Sequence, residues 1–194
     1  MNKALEQNWH WFLIGAVVVS SIVCGGIAIK SSPTAKEKIL FYISALEVDT
    51  SALVKESKAV ADEDIRQVRI NHESVLASEN SRLFGMVYDS TDIYIYPESQ
   101  LERTIPLSAH LDTTSIQTLI PNIGDKEITN ECAIKIYDAS TGEGCLKGII
   151  DYHISDNENE NYYLSFFKSS LHIGELNNRS SSSALKIANY LLEL

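Results

Sequence analysis

SALVKESKAVADEDIRQVRINHESVLASENSR, residues 51–82, contains neither glycine nor proline. Val54, Ala61, Val68 and Val75 recur every seven residues, with Ile65 and Leu76 beside the same stripe. Charged and polar residues fill the other positions. Apolar side chains at that spacing fall on one narrow face of a helix, so the stretch predicts one long amphipathic helix. A seven-residue seam is also half of a coiled coil, which makes Val54, Ala61, Ile65, Val68 and Val75 a candidate helix interface. His72 and Glu79 sit at the other seam positions and suit a zipper poorly, which leaves a helix lying across a sheet as the competing reading.

The residues before it extend the helical reading. Ser32-Pro33 supplies an N-cap followed by proline at the first helical position. Ile39, Leu40, Tyr42, Ile43 and Leu46 then mark a stripe up to Val48, and Asp49-Thr50 interrupts. Residues 31–83 are therefore expected to form a helical stalk leading into the long helix.

Downstream, the period changes to two. Phe84–Tyr88 and Ile93–Tyr96 flank the turn Asp89-Ser90-Thr91-Asp92, and Pro97 ends the second run because proline cannot donate to a ladder. Asp112-Thr113-Thr114 caps a short helix through Ile120, stopped by Pro121. Cys132–Tyr137 alternates, Asp138–Gly142 turns, and Leu146–Ile154 alternates again, as half-buried antiparallel strands do. Asp156–Asn161 reads as a polar turn and Tyr162–Lys168 as a third strand, completing a meander. Ser182 or Ser183 caps a last helix, Ala184–Leu194. Residues 84–194 thus predict an α+β domain continuing from the long helix. The helix packs on an antiparallel sheet of about four or five strands, in a cystatin-like or NTF2-like wrap.

At the other end, WHWFLIGAVVVSSIVCGGIAI, residues 9–29, has no Asp, Glu, Lys or Arg. About 20 apolar residues in a helix cross a hydrocarbon core of roughly 30 Å. Trp9 and Trp11 fall where aromatic rings favour the headgroup boundary. Residues 9–30 are therefore expected to be a single transmembrane anchor binding membrane lipid, behind a short tail of residues 1–8. A cleaved secretory signal would need a shorter apolar core and a small-x-small site, whereas this run leads into Ile-Lys-Ser-Ser-Pro. A lipoprotein signal ending at Cys24 would have bulky Val23 before it.

Lys30, Lys36 and Lys38 follow the run and only Lys3 precedes it, which by charge alone puts the domain in the cytoplasm. Long domains translocate largely regardless of charge, however, and a short tail before one apolar segment is the layout of a signal anchor. With two cysteines in the soluble part, the expectation is an extracytoplasmic domain, periplasmic or extracellular.

The net charge of −10 and the absence of any Lys/Arg cluster exclude a nucleic-acid footprint and a polybasic grip on lipid. Cys132 and Cys145 flank a hairpin. A disulfide between them is one reading and two small buried hydrophobes the other. Strand parity puts Cys145 opposite Leu146 and Ile150, so a bridge would need a bulge at Gly142-Glu143-Gly144.

No phosphate loop, nucleophile elbow or metal motif is present. His110-Leu111-Asp112, Asp151-Tyr152-His153 and His172 offer ligand pairs without a diagnostic third member. Asn178-Arg179-Ser180 matches a glycosylation acceptor. No catalytic residue, cofactor or metal is assigned. The expected function is a non-enzymatic, membrane-anchored protein making protein–protein contacts with other membrane or envelope proteins or with its own copies. A subunit of a secretion or pilus machine has that layout. The alternative is an extracytoplasmic ligand-sensing domain that signals through a partner protein.

Overall fold

A computed structural model describes residues 13–22, 32–74, 91–155 and 158–194. The chain divides into two units, Met1–Thr34 and Ala35–Leu194. In the first, residues 13–22 form a helix, α1.

The second unit is α+β. Its strands are β1 (Lys38–Ala45), β2 (Gln67–Ser74), β3 (Ile93–Pro97), β4 (Ile128–Thr129), β5 (Ala133–Asp138), β6 (Glu143–Gly144), β7 (His153–Ser155), β8 (Glu158–Asn159) and β9 (Tyr162–Phe166). Its main helices are α2 (Thr50–Val60), α3 (Thr113–Leu119) and α4 (Ser183–Leu191). The large sheet runs β2-β1-β3-β9-β5-β4 with β6 also on β5, and β7 pairs with β8 separately. β1 is parallel to both β2 and β3, while β3, β9, β5 and β4 pair antiparallel. The sheet is mixed, where an antiparallel sheet curled round one helix was expected.

The long helix is the main correction. Asp49 caps α2 by accepting from the Ala52 N–H. The helix ends at Val60, and Ala61 is already extended, with φ −64° and ψ 152°. A turn closed by Ile65 N–H to the Asp62 carbonyl leads into β2. Val68 and Ile70 fit a strand as well as a helix, and pairing with β1 over its whole length decides for the strand. The buried positions of α2 are Leu53 and Ser57, not the seven-residue seam. Val54, Ala61, Ile65 and Val68 accordingly fall on a helix, a turn and a strand, so they form no helix interface; Val75 lies outside the described residues. The strand expected at Phe84–Tyr88 also lies outside them.

β1 corrects the stalk. KILFYISA lies between two neighbours and is buried on both faces, which erases the polar/apolar alternation that marks a half-exposed strand. Ile39, Phe41 and Ile43 join Ile93, Ile95, Ile134, Leu164 and Phe166 on the face packed with residues of α2 and α4. Tyr42, Tyr94, Tyr96, Tyr163 and Phe167 line the other face, with Leu101, Ile105 and Leu107 packed against them.

The expected strand over Leu146–Ile154 shrinks to β7. Leu146 (φ 59°) and Gly148 (φ 86°) take left-handed backbone, which a ladder does not accept. β5 therefore pairs directly with β9. The disulfide is not formed: Cys132 and Cys145 are both free and buried. Cys132 belongs to the tyrosine-side cluster and Cys145 to the isoleucine-side one, so the sheet separates them.

Candidate functional site

Two concavities of different chemistry open near the ends of β1. Beyond its carboxyl end, Glu47–Asp49 and Gly148–Asp151 line an open groove of about 510 Å³. In sheets of this order ligands favour the carboxyl ends of the strands where the chain reverses direction. Two of this groove's three carboxylates are already committed, however. Asp49 accepts from the Ser51 hydroxyl and the Ala52 N–H. Asp151 accepts from the His153 ring and backbone N–H. Those hydrogen bonds hold both carboxyls below the usual range; for Asp151 they outweigh an opposing push from burial.

The second concavity lies at the amino end of β1. It is a more enclosed cavity of about 160 Å³, lined by Lys36, Asp64, Leu171, His172, Arg179, Ser180 and Ser181. A chain of hydrogen-bonded polar groups runs back from two of its lining residues, His172 and Ser181. His172 is 1% exposed. Its Nε2 lies 3.1 Å from the Ala35 carbonyl oxygen, which can only accept, so that nitrogen carries the proton. In the neutral ring Nδ1 then accepts from the Ser181 hydroxyl, 3.0 Å away. Ser183 Oγ lies 3.3 Å from Ser181 Oγ and gives its own proton to Asp62 Oδ2. Asp62 Oδ1 accepts from Lys186 Nζ. Asp62 thus sits over the first turn of α4, where the exposed N–H ends of the helix favour a carboxylate. Lys186 first, then Ser183, hold its pKa below the ordinary value.

The same network ties down the sheet. Asp92, 5% exposed, accepts from the Leu40 N–H at 2.8 Å and from the Ser170 hydroxyl. Ser170 Oγ in turn accepts from the His172 N–H. Burial pushes the Asp92 pKa up, against the lowering effect of those hydrogen bonds.

The rim is a closed loop. Gly174 N–H donates to the Ser181 carbonyl and Arg179 N–H to the Gly174 carbonyl. Gly174 has φ +51°, and a Cβ there would stand 3.0 Å from Ser182 Cβ, so the loop needs glycine at its neck.

The two histidine–aspartate pairs noted in the sequence and the single His172 do not converge. His110 is exposed beside Glu131, His153 pairs with Asp151, and His172 is in the cavity floor. Asn178 is exposed in left-handed backbone on the cavity loop. The cavity itself was missed because its members come from the two ends of the domain: Ala35 meets His172 across 137 positions and Asp62 meets Ser183 across 121. The run Arg179-Ser180-Ser181-Ser182-Ser183 before a helix was the available signal, and its serines at 182 and 183 were read only as helix caps.

Compared with known proteins, the chain matches no family model, and none of the curated proteins is similar to it.

Proposed function

We propose that the chain is a membrane-tethered, non-enzymatic protein whose folded domain works by binding outside the cytoplasm. The observation that carries the tether is α1. Leu13, Ile14, Val17, Val18, Val19 and Ile22 are each at least half exposed, so no side of the helix is polar. Each such side chain gains about 1.5–3 kcal/mol on leaving water, and lipid is the environment that suits a helix apolar all round. Among the described residues no helix is long and apolar enough to cross a membrane. The rest of the uncharged run, residues 9–12 and 23–29, lies outside them, so the span itself rests on the sequence.

Of the two kinds of binding, the domain surface favours a small ligand. Among its described residues Leu194 is the one large apolar side chain that is exposed, whereas protein-docking faces show contiguous apolar patches. A concavity with converging polar groups is what small ligands use. Sensing of this kind acts through a partner protein in the membrane or envelope.

Val18→Asp tests the tether. A carboxylate at the middle of a spanning helix costs roughly 2.5–3.5 kcal/mol. Set against the summed gain of the six apolar side chains this weakens the tether without abolishing it, so alkaline carbonate should extract the variant more readily than wild type; release of wild type and variant alike would refute the anchor. Protease added to cells whose outer envelope has been opened and whose cytoplasmic membrane is intact should cut the domain, and full protection would reverse its side.

A further inference from the structure

We infer that the cavity between Lys36 and Arg179 binds a small tetrahedral oxyanion of the phosphate class. The inference rests on the ligand-binding reading above and names its ligand.

Charge is the first argument. In a chain of net charge −10, Lys36 and Arg179 both line one small concavity, and neither forms an ion pair with a described residue. Two other cations of these segments, Lys186 and Arg66, are already paired, with Asp62 and Glu37. Asp64 is the single carboxylate in the lining, so the cavity walls carry two positive charges against one negative. Arg and Lys are the side chains that recognise phosphate, arginine by paired N–H donors and lysine as a point charge.

Size is the second. At about 30 Å³ per water, 160 Å³ holds a handful of waters or one compact anion. It falls below the roughly 300–1,000 Å³ of pockets that take drug-sized ligands.

Preorganisation is the third. Two main-chain hydrogen bonds close the 174–181 loop, and the His172 ring, fixed by Ala35 and Ser181, forms the floor. Ser180, Lys36 and Arg179 stand in the lining as donors toward a guest. A loop already held in shape loses less freedom on binding.

The anion could be free in solution or the phosphate of a lipid headgroup, since Lys36 follows the uncharged run by only a few residues. The test is calorimetric titration of the full-length protein with inorganic phosphate, at fixed pH and ionic strength, in uncharged detergent micelles. Wild type should saturate at one site. R179A and K36A should each weaken binding by about tenfold or more, and D64N should tighten it by removing the opposing charge. In nanodiscs of phosphatidylglycerol, unchanged phosphate binding assigns a free anion, and suppressed binding assigns the headgroup. Lack of saturable phosphate binding by wild type, or D64N and R179A both matching it, overturns the oxyanion site. A protein that ignores phosphate but is stabilised by neutral or cationic small molecules keeps the ligand-binding reading and loses this inference.

Discussion

Two tyrosines in contact should respond oppositely to loss of the same atom. Tyr152 stacks on Tyr137 at 4.4 Å and meets Tyr162 edge-on at 4.9 Å. The Tyr152 hydroxyl donates to the Cys145 carbonyl at 2.6 Å in a buried setting. Tyr162 is fully buried, and its hydroxyl has no partner among the described residues. Burial pushes both phenols above their ordinary pKa, so both stay neutral donors. Tyr152→Phe keeps the rings and removes one buried hydrogen bond, at a cost of about 0.5–1.5 kcal/mol, rising toward about 3 if the carbonyl is left bare. Tyr162→Phe removes a hydroxyl whose uncompensated burial costs about 1–3 kcal/mol. The gap left by one oxygen, about 10 Å³, takes back only about 0.2 kcal/mol. The expected outcome is stabilisation by roughly 0.5–2 kcal/mol for Tyr162→Phe and destabilisation for Tyr152→Phe. Urea unfolding of the full-length protein in mild detergent, followed by circular dichroism, reads both as shifts of midpoint at constant slope. A Tyr162→Phe variant destabilised by more than about 0.5 kcal/mol would refute the reasoning, since the hydroxyl would then have a partner.

Asp92 and Asp62 should give opposite pH dependences. Burial raises the Asp92 pKa in the folded state, so the native protein binds the extra proton and stability from this group is lost as pH rises through that raised value. Asp92→Asn should therefore compare better with wild type at pH 7 than at pH 4, and the reverse trend would exclude a destabilising buried charge. Asp62 is lowered by Lys186 and Ser183, so its stabilisation is present above the ordinary carboxylate pKa and is lost as pH falls through the depressed one. Asp62→Asn should cost about 1 kcal/mol at pH 7, a figure kept small because the pair is partly exposed, and the cost should fade in acid. With Cys132 and Cys145 both free, dithiothreitol should leave the unfolding midpoint unchanged and both thiols should alkylate once unfolded; a reductant-sensitive midpoint would restore the bridge.

Elements carrying their own punctuation were legible in the sequence. β3 ends at Pro97, α3 stops before Pro121, β5 and β9 alternate beside polar turns, and α4 begins at the serine run. The misread segments are those where partners decide. β1 is buried on both faces and shows no alternation to read. Ala61–Arg66 breaks the helix without glycine or proline, because the turn is held from outside by Asp62 reaching Ser183 and Lys186. Val68 and Ile70 satisfy either period, and only the register with Ile39 and Phe41 selects the strand. The cavity was illegible for the same reason: Lys36, Asp64, His172 and Arg179 are unremarkable singly and meet only after the sheet brings the amino ends of β1 and β2 together with the loop before α4.

The tether is tested most directly by alkaline carbonate extraction of membranes from cells expressing the full chain beside a chain lacking residues 1–30. The full chain should stay in the pellet, and the shortened one should appear in the supernatant with an intact circular dichroism spectrum. Release of the full chain by carbonate, with both forms in the supernatant, would contradict the account.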